Sequence, residues 1–156
     1  MKIHLIFVGK TREPYLREGI EDFLVRLRRY LPVEIKTVRS EKLTRDDQAV
    51  RVVSKESERV ASAVPSNSHL VVLDRSGRQM SSLSLSQWWK RLETQGCRKL
   101  CFAVGGVLGF SDELLSQAQT LLSLSKMTFT HEMSRLILLE QLYRARTIMR
   151  GEKYHK

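Results

Sequence analysis

Cysteine is scarce: only Cys97 and Cys101 occur in 156 residues. That excludes a disulfide framework. Their spacing is not the Cys-x-x-Cys of zinc and thiol-redox sites either. They lie at the start of the apolar run Leu100–Val104 and read as reduced, mostly buried side chains. Long apolar runs are also missing. No stretch reaches the ~18 residues of a membrane-spanning helix. No signal peptide is expected, because Ile3–Val8 gives way at once to Gly9, Lys10 and further charged residues. The expectation is a cytoplasmic protein with no membrane contact. Repeats, low-complexity tracts and linkers are lacking too, so residues 1–156 are expected to form a single domain with one core.

Acidic residues are in deficit. Lys and Arg number 27 against 17 Asp and Glu, a net charge of +10. The excess is spread along the chain, which argues against a disordered basic arm. A surplus of this size favours a polyanionic partner, and nucleic acid is the usual one. The alternative is a basic protein with no such partner. Hydrophobic residues at 42 % and charged residues at 28 % place the chain among ordinary globular domains rather than disordered ones.

Three familiar motifs are present only in part. Gly9-Lys10-Thr11 looks like the end of a phosphate-binding loop, but the required upstream glycine is replaced by His4. Gly105-Gly106-x-x-Gly109 is not the dinucleotide fingerprint. It is either a tight connection or a turn that lets backbone approach a ligand. His131-Glu132-x-x-Arg135 has the first half of a zinc-protease motif, with Arg where the second ligand belongs, so no metal site is expected. His131 and Arg135 share a helix face, as do Glu140 and Arg144, which also have the spacing of a plain ion pair. Of Trp88 and Trp89, one reads as core and the other as half-covered.

Strand-like and helix-like patterns alternate. Strands are expected at Ile3–Val8, Val33–Val38, His69–Leu73, Lys99–Val104 and Leu121–Ser125, with a turn at Asp74–Gly77. Helices are expected at 15–30, 44–64 (Val50, Val53, Val60 and Val64 inward), 84–94, from Ser111 onward, and 132–150, the last closed by Gly151. This order implies an α/β fold, a single-domain, mostly parallel sheet flanked by helices.

Several distinctive segments occur together: KIHLIFVGK at 2–10, Val71–Asp74 with Gly77, the glycine turn at 105–109, LSKMTF at 124–129, and YRAxxIMRGEKYHK at 143–156. In these the sequence resembles, along its whole length, the RlmH family of SPOUT-class methyltransferases. The resemblance implies a C-terminal trefoil knot, a homodimer, and S-adenosylmethionine-dependent methylation of N3 of a pseudouridine in 23S ribosomal RNA. It also implies that Leu73, Gly105, Leu124, Ser125, Lys126, Met127, Thr128 and Phe129 bind the cofactor. By the same resemblance His131 and Arg135 meet the substrate, and Arg144, Tyr154 and His155 are catalytic, His155 as proton acceptor. The small size favours an assembled ribosome as substrate. Two other readings share these features, a SPOUT enzyme of transfer RNA and a non-catalytic basic ribosome-binding protein. The chain departs from the family at Thr130, where relatives often have Pro, at the apolar pair Val107-Leu108, and at Glu132.

Overall fold

A computed structural model describes residues 1–42 and 49–154. Five strands form one wholly parallel sheet: β1 (Lys2–Val8), β2 (Val33–Val38), β3 (His69–Gln79), β4 (Lys99–Val104) and β5 (Thr120–Ser123), in the order β2-β1-β4-β3-β5. The helices are α1 (Pro14–Arg28), α2 (Ala49–Ala63), α3 (Ser82–Thr94), α4 (Asp112–Gln117) and α5 (His131–Met149). The expected start of α2, residues 44–48, lies outside the described residues.

The strands are apolar on both faces because both faces are covered. On one side Ile3, Leu5, Phe7, Leu100, Phe102 and Val104 pack under α1, α3 and α5. On the other, Ile6, Val8, Cys101 and Ala103 meet Val60 of α2 and Leu114 of α4. Successive residues of β1 and β4 thus alternate between two cores, as the two-residue period of a strand requires. Trp89 is fully buried and its indole N–H donates to Met1 Sδ at 3.0 Å, while Trp88 is half-covered. Cys101 is buried, and burial pushes its thiol up to about 12.

Helix ends follow local chemistry. Ser81, Ser111 and Thr130 cap α3, α4 and α5 through their hydroxyls. Gly151, at φ +71°, closes α5: its N–H bonds Ile148 O, and the Glu152 N–H bonds Thr147 O. These are the two bonds of a Schellman cap.

Two expectations need correction. The turn at Asp74–Gly77 does not end its strand. Leu73 and Arg78 both pair with Leu122, so the intervening residues form an excursion inside β3, which continues to Gln79. Asp74 Oδ2 holds this excursion by accepting from the N–H (2.7 Å) and hydroxyl of Ser76. Helix α2 also presents a different face. Val52, Glu56, Ser57 and Val60 are buried, whereas Val50 is 78 % exposed. The four valines share one stripe by spacing, and Val60 is buried as expected, but the buried face is turned away from Val50 toward a polar pair satisfied by loops: Glu56 accepts from Glu41 N–H and Ser57 from Ser111 N–H.

Gly77 lies against β5. A Cβ there would fall 2.6 Å from the main chain of Leu121 and Leu122. Gly77→Ala is expected to cost about 1–3 kcal/mol by overpacking, measured as a lowered urea midpoint with an unchanged m-value.

Candidate active site

Both candidate clefts lie at the C-terminal edge of the parallel sheet, where open α/β sheets bind ligands. One is beyond β3 and β5. It has a volume of about 130 Å³ and is walled by Leu73, Leu122, Leu124, Met127 and Phe129, with Asp74, Arg75, Ser123, Ser125, Thr128 and Ser134 as charged and polar lining. Its shape comes from an irregular segment. After β5, Leu124–Phe129 makes no backbone–backbone hydrogen bond among the described residues. The loop is held instead by Ser123 Oγ donating to Ser125 O (3.0 Å) and Met127 N–H donating to Ser125 Oγ (2.9 Å). Unpaired main-chain groups between apolar walls suit a flat heteroaromatic ring with polar edges.

The structure gathers six of the eight expected cofactor residues at this cleft: Leu73, Leu124, Ser125, Met127, Thr128 and Phe129. Lys126 is exposed and Gly105 is buried, and neither borders it. A Cβ on Gly105 would meet Phe110 at 3.2 Å and Gly109 at 3.4 Å, so Gly105 allows the glycine turn to fold tightly on itself.

The second cleft, of about 210 Å³, lies beyond β1 and β4, between the Gly9-Lys10 turn, the Gly106–Leu108 loop and the first turn of α5. Residues on that turn border both clefts, His131 and Glu132 this one and Ser134 the other. Burial, then the Arg135 charge, keeps the pKa of His131 below its usual value. Glu132 Oε2 accepts from the N–H groups of Arg12 (2.9 Å) and Glu13 (3.2 Å), at the entry to α1, whose own cap residue makes no side-chain bond. Burial opposes ionisation of Glu132, but those two N–H donors, His131 and Arg135 hold its carboxyl below the ordinary 4.5.

Arg135 is completely buried. It donates to Val8 O (2.5 Å) and Thr11 Oγ1 (2.8 Å), and its guanidinium lies 5.1 Å from the centre of the Phe7 ring. It therefore presents no surface to a substrate and instead supports the floor of this cleft from beneath.

Arg144 and Tyr154 form a third group farther along α5. Arg144 donates twice to Glu140 Oε1 (2.9 and 2.5 Å), so the expected ion pair exists, and its guanidinium lies 4.7 Å from the centre of the Tyr154 ring. Tyr154 donates to the same oxygen at 3.3 Å; burial first, then Glu140, raises its pKa. Tyr154 also packs edge-on to Tyr143 at 4.8 Å. Glu152 accepts from Tyr30, just past the end of α1, at 2.5 Å, and that bond pushes the Tyr30 phenol up to about 12. Along one helix at ~1.5 Å per residue, His131 and Arg144 are about 20 Å apart. His155 lies outside the described residues.

Sequence reasoning missed Glu56 as a cleft residue and Glu132 as the cap of α1. Glu132 had a signal, an acid next to His131. Glu56 had none, since a single Glu in a charged helix reads as solvated.

Comparison with known proteins gives this geometry a family. The chain matches, over residues 1–155, the family model described as "Predicted SPOUT methyltransferase". It is 45 % identical over 155 residues to the ribosomal RNA large subunit methyltransferase H of Geobacter sp. (strain M21), covering 99 % of each chain. The protein of the same name from Halothermothrix orenii is 45 % identical over 159 residues, with full coverage of both. A solved structure of a probable methylase family protein from Haemophilus influenzae Rd KW20 shares the fold, with TM-score 0.57 and 12 % identity over 99 % of this chain and 70 % of that one. The chain belongs to the SPOUT methyltransferases, within the RlmH family.

The low pKa of Glu132 gives a pH prediction. Its stabilising contribution is fully present above about 4.5 and is lost as pH falls through the lower folded value. Glu132→Gln should be less stable than wild type at neutral pH, with the gap closing below pH 4.5 in urea titrations run across pH. Arg135→Met should cost about 3 kcal/mol or more in the same assay, because Val8 O loses its partner in the interior.

Proposed function

We propose that this protein transfers the methyl group of S-adenosylmethionine to ring N3 of a pseudouridine in 23S ribosomal RNA, on assembled ribosomes and as a homodimer. The observation that carries the reading is the Leu73/Leu124–Phe129 cleft, in a chain 45 % identical along its full length to relatives named large subunit methyltransferases. The residues there fit the cofactor. Apolar walls and unpaired main chain would hold its adenine.

When bound, S-adenosylmethionine supplies an electrophilic methyl on a sulfonium, a leaving group that needs no acid. The chain's own tasks are then alignment and removal of one proton. Alignment of nitrogen, methyl and sulfur supplies most of the acceleration. The ring N–H must be given up as the methyl arrives, and His155 is the acceptor. Arg144, oriented by Glu140 and backed by Tyr154, holds a phosphate or the base oxygens as charge shifts onto them. Arg135 acts by positioning, through Val8 and Thr11.

The homodimer rests on the same geometry. Arg144 and Tyr154 sit about 20 Å along α5 from the first-turn residues that border the clefts. One subunit's tail is therefore better placed to complete its partner's cleft than its own. The half-buried Ile137 on α5 suits the covered face of such a pair. The C-terminal trefoil knot belongs to this reading as well.

Incubation with methyl-labelled S-adenosylmethionine and ribosomes from a strain lacking the modification should place label on one pseudouridine of the large-subunit RNA. Cofactor binding without such label would point to transfer RNA, and absence of both to a non-catalytic role. His155→Ala should lower the single-turnover rate by about 10²-fold or more while leaving cofactor affinity, measured by calorimetry, near wild type. Mixed dimers of Arg144→Ala with a Met127→Arg cleft variant, each inactive as a homodimer, should recover activity; none would be recovered if each tail served its own cleft.

A further inference from the structure

The cleft beyond β3 and β5 carries more than an adenine requires. Two charged residues, Asp74 and Arg75, line it beside its apolar walls, and among the described residues no other charged side chain borders it. They are consecutive in the chain and open the excursion that interrupts β3. Neither is in an ion pair among the described residues, with each other or with a third group. Arg75 is exposed and Asp74 half-buried, so both charges stand at the mouth of the cleft rather than in the core.

The excursion is pinned, which places the pair. Leu73 and Arg78, on its two sides, both pair with Leu122 of β5. Gly77 packs so closely on the main chain of Leu121 and Leu122 that no Cβ fits. Within the excursion, Asp74 Oδ2 accepts from the Ser76 N–H at 2.7 Å and from its hydroxyl. One carboxylate oxygen is thus committed to the turn, and Oδ1 has no protein donor among the described residues. A ligand filling this cleft meets apolar walls and unpaired main chain at Leu124–Phe129, and one carboxylate and one guanidinium on the β3 side. S-adenosylmethionine has the matching parts: a flat base at one end, and at the other an α-ammonium and an α-carboxylate on one carbon.

We propose that Asp74 and Arg75 hold the amino-acid end of the cofactor, Arg75 by binding the α-carboxylate and Asp74 by accepting from the α-ammonium through Oδ1. A planar guanidinium fork matches a carboxylate with two parallel hydrogen bonds, which sets direction as well as affinity. The adjoining carboxylate has a second effect. An arginine alone would repel the sulfonium, and Asp74 offsets that repulsion at short range. With the base held by the loop after β5 and the amino acid by the excursion in β3, rotation of the bonds between them is restricted, which serves the alignment of the methyl. Adenosine derivatives without the amino acid would fill the apolar part of the cleft and leave this pair unused. The inference rests on the proposed cofactor site and assigns two further residues to it.

Calorimetric titration with S-adenosylhomocysteine and two analogues, one lacking the carboxylate and one lacking the amino group, separates the two contacts without any methyl transfer. Wild type should bind the parent compound more tightly than either analogue. Arg75→Ala should weaken the parent about tenfold and bind the decarboxylated analogue no more weakly than wild type does. Asp74→Asn keeps an oxygen for Ser76 and should weaken the parent by a similar factor while sparing the deaminated analogue. Urea midpoints near that of wild type serve as the control for folding in both variants. An unchanged parent affinity in either variant, or an equal loss for the parent and the matching analogue, would overturn this inference and leave the cofactor site standing. No binding of S-adenosylhomocysteine by wild type would overturn the cofactor site and this inference with it.

Discussion

The buried guanidinium of Arg135 is the contact on which the C-terminal edge of this protein depends. A permanent charge is taken fully out of water and must be repaid in hydrogen bonds. Val8 O and Thr11 Oγ1 accept from its two terminal nitrogens, while Nε finds no partner among the described residues, and both acceptors belong to the exit from β1. The planar fork suits two separate acceptors and also lies over the Phe7 ring, which a lysine would not reproduce. One turn back, Glu132 binds the N–H groups that open α1. Two charged side chains on the first turns of α5 therefore fix the junction of β1 and α1, more than a hundred residues earlier in the chain. The floor of the β1–β4 cleft is set by the last helix to form in sequence order.

The same helix turn also divides the two clefts. Its N-cap is Thr130, whose hydroxyl accepts from Met133 N–H. A proline at this position would stiffen the approach but offer no capping oxygen, so the departure from the family here leaves the helix start chemically satisfied. Val107, exposed at 74 %, and Leu108 lie in the loop that borders the β1–β4 cleft.

The strands were legible in the sequence because a parallel sheet buried on both faces writes itself as short, dense apolar runs. Ile3–Val8 and Lys99–Val104 are read within a residue for this reason. Helix α5 was legible through its length and Gly151. The face of α2 was not, because its buried polar pair takes partners from loops at Glu41 and Ser111 that local pattern does not reveal. The continuation of β3 past Gly77 was hidden for a similar reason: Asp74, Ser76 and Gly77 are turn residues, and only pairing with Leu122 makes them part of a strand. Within the site, LSKMTF was legible as a segment, but the exclusion of Lys126 and Gly105 from its cleft depends on loop geometry.

Charge and selectivity are divided between surface and interior. The excess of Lys and Arg is spread around the chain, so it can attract any polyanion but distinguishes none. Discrimination needs acceptors as well as donors, and in a basic protein every exposed carboxylate weakens the attraction. The structure eases this conflict by burying or pairing several acids near the clefts, although Glu41 and Asp74 remain partly exposed on their walls. Glu56 and Glu132 are buried against backbone N–H groups, and Glu140 is neutralised by Arg144. Each carboxylate is thus kept as a directional acceptor while its long-range field is screened by fixed donors. Placing these acids on helices α2 and α5, rather than on the mobile side of a loop, holds their oxygens to the tolerance that hydrogen-bond recognition demands.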